Sequence, residues 1–545
     1  MPFLDWVNKN QAQQAAREVP YHLLKQEAVY GDPAENLLIQ GDNLLALKAL
    51  IPFYAGRVKC IFIDPPYNTQ SAFFEHYDDK LEHSQWLSMM YPRLVLLRDL
   101  LSAKGFIVVH IDDAESHYIK ALLDEIFGRS NYEMSVYVQV RYQSKTLKSD
   151  MAYHKQIEQA LIYRRSPDAK PYRPIIQQEG FSKFNFDIVE KSKGQLIELG
   201  GKQVTIFQPS DYEIKKVEGH IDGLKEIWAT GTILDGNSSG RFFRDYLAGR
   251  IEQDGVSVLY KVTNIGDDGL GYRYFTGPKK LTATKGKYFQ GVPVDKRHTE
   301  IQEVVQPIDN FYDFSSQFGN CRHEGGVEFR SGKKPENYVK KMLDLFSQPG
   351  DLVLDSFLGS GTTAAVAHKT ARPYIGIEFG EQATTHCVPR LLSVIEGDRT
   401  GVALDVDWQG GGGFRLCTLG EAAFDEHGRI NAAVKFSTLA AFVWHFETGI
   451  PSLQPSSPRA SSGNTPLLGI YNGTAYYLLY NGILGDRKPS SGNVLTHAVL
   501  QAINEICPHA GHKIIYGETT RLGAARLAAE NITFKQIPYD VKMRG

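Results

Sequence analysis

Cysteine is scarce in this chain: five among 545 residues, at positions 60, 321, 387, 417 and 507, with no Cys-x-x-Cys pair. That usage supplies neither the ligand set of a structural zinc site nor a disulfide framework, so buried free thiols and no metal are expected. Long apolar runs are missing as well. No segment nears the ~18 apolar residues of a membrane span, and the first twenty residues lack the basic start, apolar middle and small-residue cleavage site of a secretion signal. A cytoplasmic protein with no membrane partner is expected. An excess of charge of one sign is the third absence. Sixty Lys and Arg stand against 62 Asp and Glu, a net charge of −2. A polyanion is therefore not attracted by the chain as a whole, and any nucleic-acid surface must be local.

What is present is the balance of a globular protein, 42% hydrophobic and 22% charged, over a length that calls for more than one domain. VKCIFI (58–63) and GFIVVHI (105–111) are short apolar runs that read as buried parallel strands. Between them Leu87, Met90, Tyr91, Leu94, Leu97 and Leu101 recur at helical spacing. Strand, helix, strand implies a parallel α/β sheet. The alternation lapses after Arg165 and resumes after about 320. The reading is an arm (1–34), one half of an α/β sheet (35–165), an irregular α+β insert (166–320), the other half (321–400), and a small C-terminal α/β domain (401–545) with a Ser/Pro-rich linker at 451–466. A hairpin is expected at Asn472-Gly473.

Two features carry chemistry. Asp64-Pro65-Pro66-Tyr67 ends the first strand; two prolines fix φ and remove two amide donors, leaving a rigid corner with an acid, free carbonyls and a ring. Such a corner suits a planar base with an exocyclic amine. That nitrogen is a poor nucleophile while its lone pair is conjugated. Accepting its two hydrogens, at the Asp64 carboxylate and the Pro65 carbonyl, returns density to it, while Tyr67 stacks on the base. The plainer reading is a Pro-Pro strand terminator. The second feature is Asp355-Ser356-Phe357-Leu358-Gly359-Ser360-Gly361-Thr362-Thr363, a strand, glycine loop and helix start that let backbone approach a ligand closely. It lacks the Gly-Lys-Ser/Thr of a nucleotide loop and the full dinucleotide fingerprint. Glu378, ending the next strand, is placed to accept from ribose hydroxyls, or is a surface acid.

Together these motifs resemble the amino-methyltransferases of DNA, with 64–67 matching their D-P-P-Y motif and 355–361 their D-x-F-x-G-x-G loop. The catalytic motif precedes the loop by 291 positions, the order of the β class. LLIQGDNLLALKAL (37–50), CIFIDPPYNT (60–69), WLSMMYPRL (86–94), HIDDAE (110–115), DEIFG (124–128) and SGKKPENYVKKML (331–343) are similar to the modification subunits of type III restriction systems.

The resemblance implies a permuted Rossmann-like methyltransferase sheet and S-adenosylmethionine as cofactor. Asp64, Pro65, Pro66 and Tyr67 would be catalytic. Asp42, Asp64, Lys334, Pro335, Asp355, Phe357, Gly359, Gly361, Thr362 and Glu378 would hold the cofactor, with Lys334 and Pro335 flanking its methionine end and Asp42 near its adenine; a helix cap is the plainer role for Asp42. Asp rather than Ser at position 64 implies N6 of a flipped-out adenine in double-stranded DNA. N4 of cytosine, or RNA or a protein glutamine, are the alternatives. Direct transfer with no covalent enzyme intermediate follows, since the sulfonium is already an activated donor. The insert would recognise the target. Its run of Arg273, Lys279, Lys280, Lys285 and Lys287 among aromatics suits phosphate contact, with Arg141, Lys145, Lys148, Arg164 and Arg165 extending it. A restriction-modification or phage-defence setting would bring a helicase-nuclease or other defence subunit and a second copy of the chain. A stand-alone methylase would need neither.

Overall fold

The computed structural model describes residues 3–32, 36–68, 82–143, 153–179, 181–229, 238–283, 285–297, 301–329, 332–424, 430–431, 433–452, 465–480 and 493–537. The chain divides into two compact units, one made of residues 1–172 and 309–545, the other of 173–308.

The first unit is built on a ten-stranded sheet. Its strands in chain order are β1 (His22–Gly31), β2 (Leu37–Gln40), β3 (Val58–Ile63), β4 (Leu101–Ile111), β5 (Tyr132–Gln139), β6 (Ile157–Arg164), β7 (Phe311–Asp313), β8 (Val353–Asp355), β9 (Tyr374–Glu378) and β10 (Gly413–Ala422). Across the sheet they lie in the order β1-β10-β2-β9-β8-β3-β4-β6-β5-β7. The run from β10 to β4 is parallel throughout. Helices cover both faces, which is why β3 reads as an unbroken apolar run rather than an alternating one. A first helix, α1 (Lys9–Glu18), precedes β1. Ile61 and Ile63 face a core shared with Leu47 and Leu50 of α2 (Asn43–Tyr54) and with Trp86, Leu87, Met90 and Leu94 of α3 (His83–Leu100). Phe62 points the other way, edge-on to Tyr338 of α5 (Glu336–Phe346); α4 (Asp113–Leu123) follows β4. No helix among the described residues is long and apolar enough to cross a membrane.

Two segments fall differently from the sequence reading. The arm contributes β1, and residues assigned to the C-terminal domain contribute β10; β1 pairs antiparallel with β10, and β10 parallel with β2. At the start of β10 a Cβ on Gly413 would lie 2.1 Å from the Asp32 carbonyl oxygen. It marks a close approach of two backbones. Beyond it, strands Leu467–Tyr471, Thr474–Leu478, Lys513–Gly517 and Ile532–Gln536 form a separate four-stranded sheet. Asn472 and Gly473 join the first two with φ of 49° and 76°, the conformation a two-residue hairpin requires. Residues 453–464 of the expected linker lie outside the described residues.

The second unit is not irregular. Eight strands, each of five or six residues, form one antiparallel sheet in which Tyr272–Thr276 lies between Leu259–Thr263 and Lys287–Gly291. Val204, Tyr260, Val262, Phe275 and Tyr288 pack with Phe243 and Leu247 into its core. Strands this short display too few alternations to stand out against a Gly-rich background.

Candidate active site

The neighbouring strands β3, β8 and β9 end in acids or release them, at Asp64, Asp355 and Glu378. The register Leu354 opposite Ile61, and Asp355 opposite Gly376, brings all three to the same carboxyl edge of the sheet. The 291 residues between Asp64 and Asp355 thus loop away and return. Tyr67 and Phe357 pack against the same hydrophobic core.

The acidic corner is clamped residue by residue. Asp64 Oδ2 pairs with Lys334 Nζ at 2.6 Å. The Pro66 carbonyl accepts from the Trp86 indole at 2.9 Å. The Tyr67 hydroxyl donates to Glu158 Oε2 at 3.0 Å. Asn68 takes a left-handed φ of 55° and donates through Nδ2 to Glu115 Oε1 at 2.8 Å, the oxygen His83 Nδ1 also meets. Two acceptors remain. Among the described residues Asp64 Oδ1 is buried with no hydrogen-bond partner, although the Tyr67 hydroxyl lies near the same carboxylate, and the Pro65 carbonyl meets no donor. Leaving a buried acceptor unsatisfied costs about 1–3 kcal/mol, which a bound N–H donor would recover.

The electrostatics concentrate negative charge. Burial, and then repulsion from Asp64 and Glu378, pushes Asp355 up to about 7 despite hydrogen bonds from Thr363 Oγ1 (2.6 Å) and the Phe357 amide (2.9 Å). For Glu158 burial acts upward too, but the His110 hydrogen bond and the Lys334 charge prevail and hold it at about 2. Burial, then the nearby carboxylates, keeps Tyr67 and Tyr338 far above the usual phenol range.

The glycine loop is shaped by contacts of its own. Gly359 N–H donates to Glu378 Oε2 at 2.7 Å and Gly361 N–H to the Leu358 carbonyl at 3.0 Å. Gly361 has φ of 83°, and a Cβ there would meet Cys387 Cα at 3.3 Å, so only glycine fits. The loop therefore offers bare backbone beside a cluster of acids. A cationic ligand with hydroxyls fits that combination. Phe379, next after Glu378, leaves 71% of its surface exposed.

Behind the loop lies a buried charge cluster that the sequence did not betray. Glu336 of α5 takes Arg390 Nη2 at 2.7 Å and Lys369 Nζ at 2.8 Å. Lys369 also pairs with Asp398, and Arg390 Nη1 donates to Thr362 Oγ1 at 2.7 Å. These contacts tie α5 to α6 (Thr362–Lys369) and α7 (Val388–Ile395).

The remaining sequence candidates are distributed unevenly. Asp42 caps α2, accepting from the Leu44 amide at 2.8 Å and pairing with Arg93 at 3.2 Å. Pro335 stands at the start of α5, next to Lys334, whose ammonium is engaged by Asp64. In the second unit Lys279, Lys280 and Lys285 are exposed. Lys287 pairs with Glu226 at 2.6 Å. Arg273 does not belong with a phosphate-facing set: it is buried and paired with the equally buried Asp268 at 3.2 Å, because its position on a central strand turns it inward. Arg164 pairs with Glu133 at 2.9 Å, and Lys145 and Lys148 lie outside the described residues. The sequence reading placed Lys334 and Asp64 at the same cofactor but not in contact, and it assigned no role to Glu158, Trp86 or His110, although WLSMMYPRL (86–94) begins with Trp86 and HIDDAE (110–115) contains both His110 and Glu115.

Residues 58–388 match the sequence model of a family described as DNA methylase. A probable type III restriction-modification enzyme HindVI Mod subunit of Haemophilus influenzae is 32% identical over 73% of this chain and 55% of that protein. The EcoPI Mod subunit of Escherichia phage P1 is 26% identical over 67% of this chain and 60% of that protein. The type II methyltransferase M.KpnI of Klebsiella pneumoniae is 25% identical over 62% and 77%. The chain thus spans little more than half the length of the type III subunits it matches.

Proposed function

The chain belongs to the DNA methylase family, and on that premise we propose that it methylates N6 of adenine in double-stranded DNA at a specific sequence, with S-adenosylmethionine as donor, as a cytoplasmic enzyme of a restriction-modification or phage-defence system. The observation that carries this reading is the pair of acceptors, Asp64 Oδ1 and the Pro65 carbonyl, left open among the described residues at an otherwise clamped corner. An exocyclic amine needs two acceptors, and here they are one residue apart on a backbone that prolines keep from yielding.

S-adenosylmethionine, when bound, supplies a methyl group already activated by its sulfonium. The chain does the rest. Gly359 and Gly361 keep side chains out of the pocket, Glu378 offers a carboxylate for the ribose hydroxyls, and the exposed ring of Phe379 offers a face to the cofactor's adenine. Asp64 accepts one amine hydrogen and the Pro65 carbonyl the other, so the nitrogen lone pair turns toward the methyl group. Tyr67 covers the face of the flipped base. The amine proton released after transfer passes to the Asp64 carboxylate, which Lys334 holds in place. Exposed Lys279, Lys280 and Lys285 supply phosphate contacts, and the second unit supplies target recognition. A helicase-nuclease partner and a second copy of the chain belong to the type III form of this proposal.

Methylation sequencing of DNA from cells expressing this chain, beside an Asp64→Ala control, is the test. N6-methyladenine at one motif, lost in the control, is expected. Equal methylation in both would refute the roles given to the corner.

A further inference from the structure

Behind Tyr67 runs a line of polar groups that the transfer itself does not use. The Tyr67 hydroxyl donates to Glu158 Oε2 at 3.0 Å, and the same oxygen lies 2.7 Å from Nε2 of His110. His110 Nδ1 in turn lies 2.5 Å from the Tyr338 hydroxyl. With a carboxylate at Nε2 that nitrogen carries the proton, and in the neutral ring Nδ1 accepts from Tyr338. Each member comes from a different element: Glu158 from β6, His110 from β4 and Tyr338 from α5. His110 and Ala160 face each other across the β4–β6 ladder, and Tyr338 is locked edge-on against Phe62, Phe314 and His110. The line is thus anchored in the sheet and ends on a ring at the mouth of the corner.

A largely buried carboxylate is costly, and an aliphatic side chain at position 158 would fill the space at less cost. What an aliphatic group would not do is hold a phenol. Tyr67 has two side-chain torsions, and without Glu158 its hydroxyl is left with the neighbouring Asp64 carboxylate, toward which the ring could swing across the corner. We propose that Glu158, held by His110, is a positioning residue that fixes the plane of Tyr67 against the base being methylated. The proposal rests on the base-methylation reading above. It makes the hydrogen-bond acceptor at 158, rather than its charge, the property that matters.

The test combines kinetics with a direct view of the ring. Glu158→Leu should lower kcat about 10- to 100-fold, with dissociation constants for S-adenosylmethionine and DNA within about twofold of the parent. Glu158→Gln, whose amide oxygen still accepts from the Tyr67 hydroxyl, should recover most of that loss. Tyr67→Phe should match Glu158→Leu, and the double variant should be no worse than the poorer single one; losses that multiply would overturn the proposal. Independently of turnover, 3-fluorotyrosine placed at position 67 should give one sharp fluorine resonance in the parent and a broadened or split one in Glu158→Leu at an unchanged melting temperature. A line that stays sharp and unshifted overturns the proposal whatever the methylation assay shows. If the parent makes no N6-methyladenine, the base-methylation reading fails, and the fluorine spectra still judge the positioning. Should Glu158→Leu not fold, His110→Leu, which removes the donor that holds the Glu158 carboxylate, is read the same way.

Discussion

At the scale of single residues, Asp355 is the group whose titration should be visible from outside. It ionises near its ordinary value of 3.8 in the unfolded chain and at about 7 in the folded one. Between those values the folded state binds the extra proton, so raising the pH through that window removes stability, at most about 4 kcal/mol above pH 7. Asp355→Asn cannot ionise, yet it keeps an acceptor for the Phe357 amide. Its melting temperature relative to the parent, measured without ligand, should therefore be higher at pH 8 than at pH 5; an equal difference at both would mean that the carboxyl is already charged in both. Residues of this kind were partly legible. Asp64, Tyr67 and Gly361 could be named because two prolines in succession and a glycine pair after a strand are rare local patterns with local reasons. Glu158 and His110 could not, since a Glu on one strand and a His on another become partners only once the sheet has brought the strands together. Arg273 was misleading for a related reason: in sequence it sits among lysines, and only the pleat decides which of them turn inward.

At the scale of elements, the loop depends on what lies behind it. Glu336, Arg390 and Lys369 are fully buried, so Glu336→Ala removes the carboxylate paired with Arg390 and leaves Lys369 with Asp398 alone. We expect it to cost about 3–5 kcal/mol, seen as a loss of urea-midpoint stability, and to weaken binding of S-adenosylmethionine as α6 loosens. Glu336→Gln, which keeps some of the hydrogen bonds, should fall between. Gly361→Ala acts on the loop directly through its left-handed backbone, and calorimetric titration should show at least a tenfold drop in affinity for S-adenosylmethionine with most of the fold retained. Undiminished binding would remove the loop from the cofactor site. Helices and central strands were readable here because burial on two faces writes long apolar runs or clean helical spacing. Edge strand β1 and its neighbour β10 were not, because an edge needs only partial burial and the two segments that pair lie nearly four hundred residues apart.

At the scale of the whole molecule, the two compact units allow a division of labour to be tested. Strands Ile175–Glu179 and Ile301–Val305 pair antiparallel, so the ends of the second unit, residues 173 and 308, emerge close together. Joining Tyr172 to Asp309 with a short Gly-Ser linker should leave a folded protein that binds S-adenosylmethionine but no longer methylates a defined motif. Sequence-specific methylation by the shortened chain would rule out recognition by the second unit. In the full chain, replacing Lys279, Lys280 and Lys285 by alanine should reduce the slope of log affinity for DNA against log salt by about 0.9 for each lysine that touches phosphate.

The insertion of β8 between β3 and β9 sets a timetable for biosynthesis. A ribosome that has released the acidic corner must still add 291 residues before Asp355 exists, about 15–60 s at ordinary elongation rates. Throughout that interval one flank of β3 has no strand to pair with, an apolar ribbon open to other nascent chains. Slowed translation or scarce chaperones should therefore be felt first as aggregation of partial products, and a nonsense codon anywhere before 353 would leave a fragment with half a cleft and nowhere to dock the methyl donor.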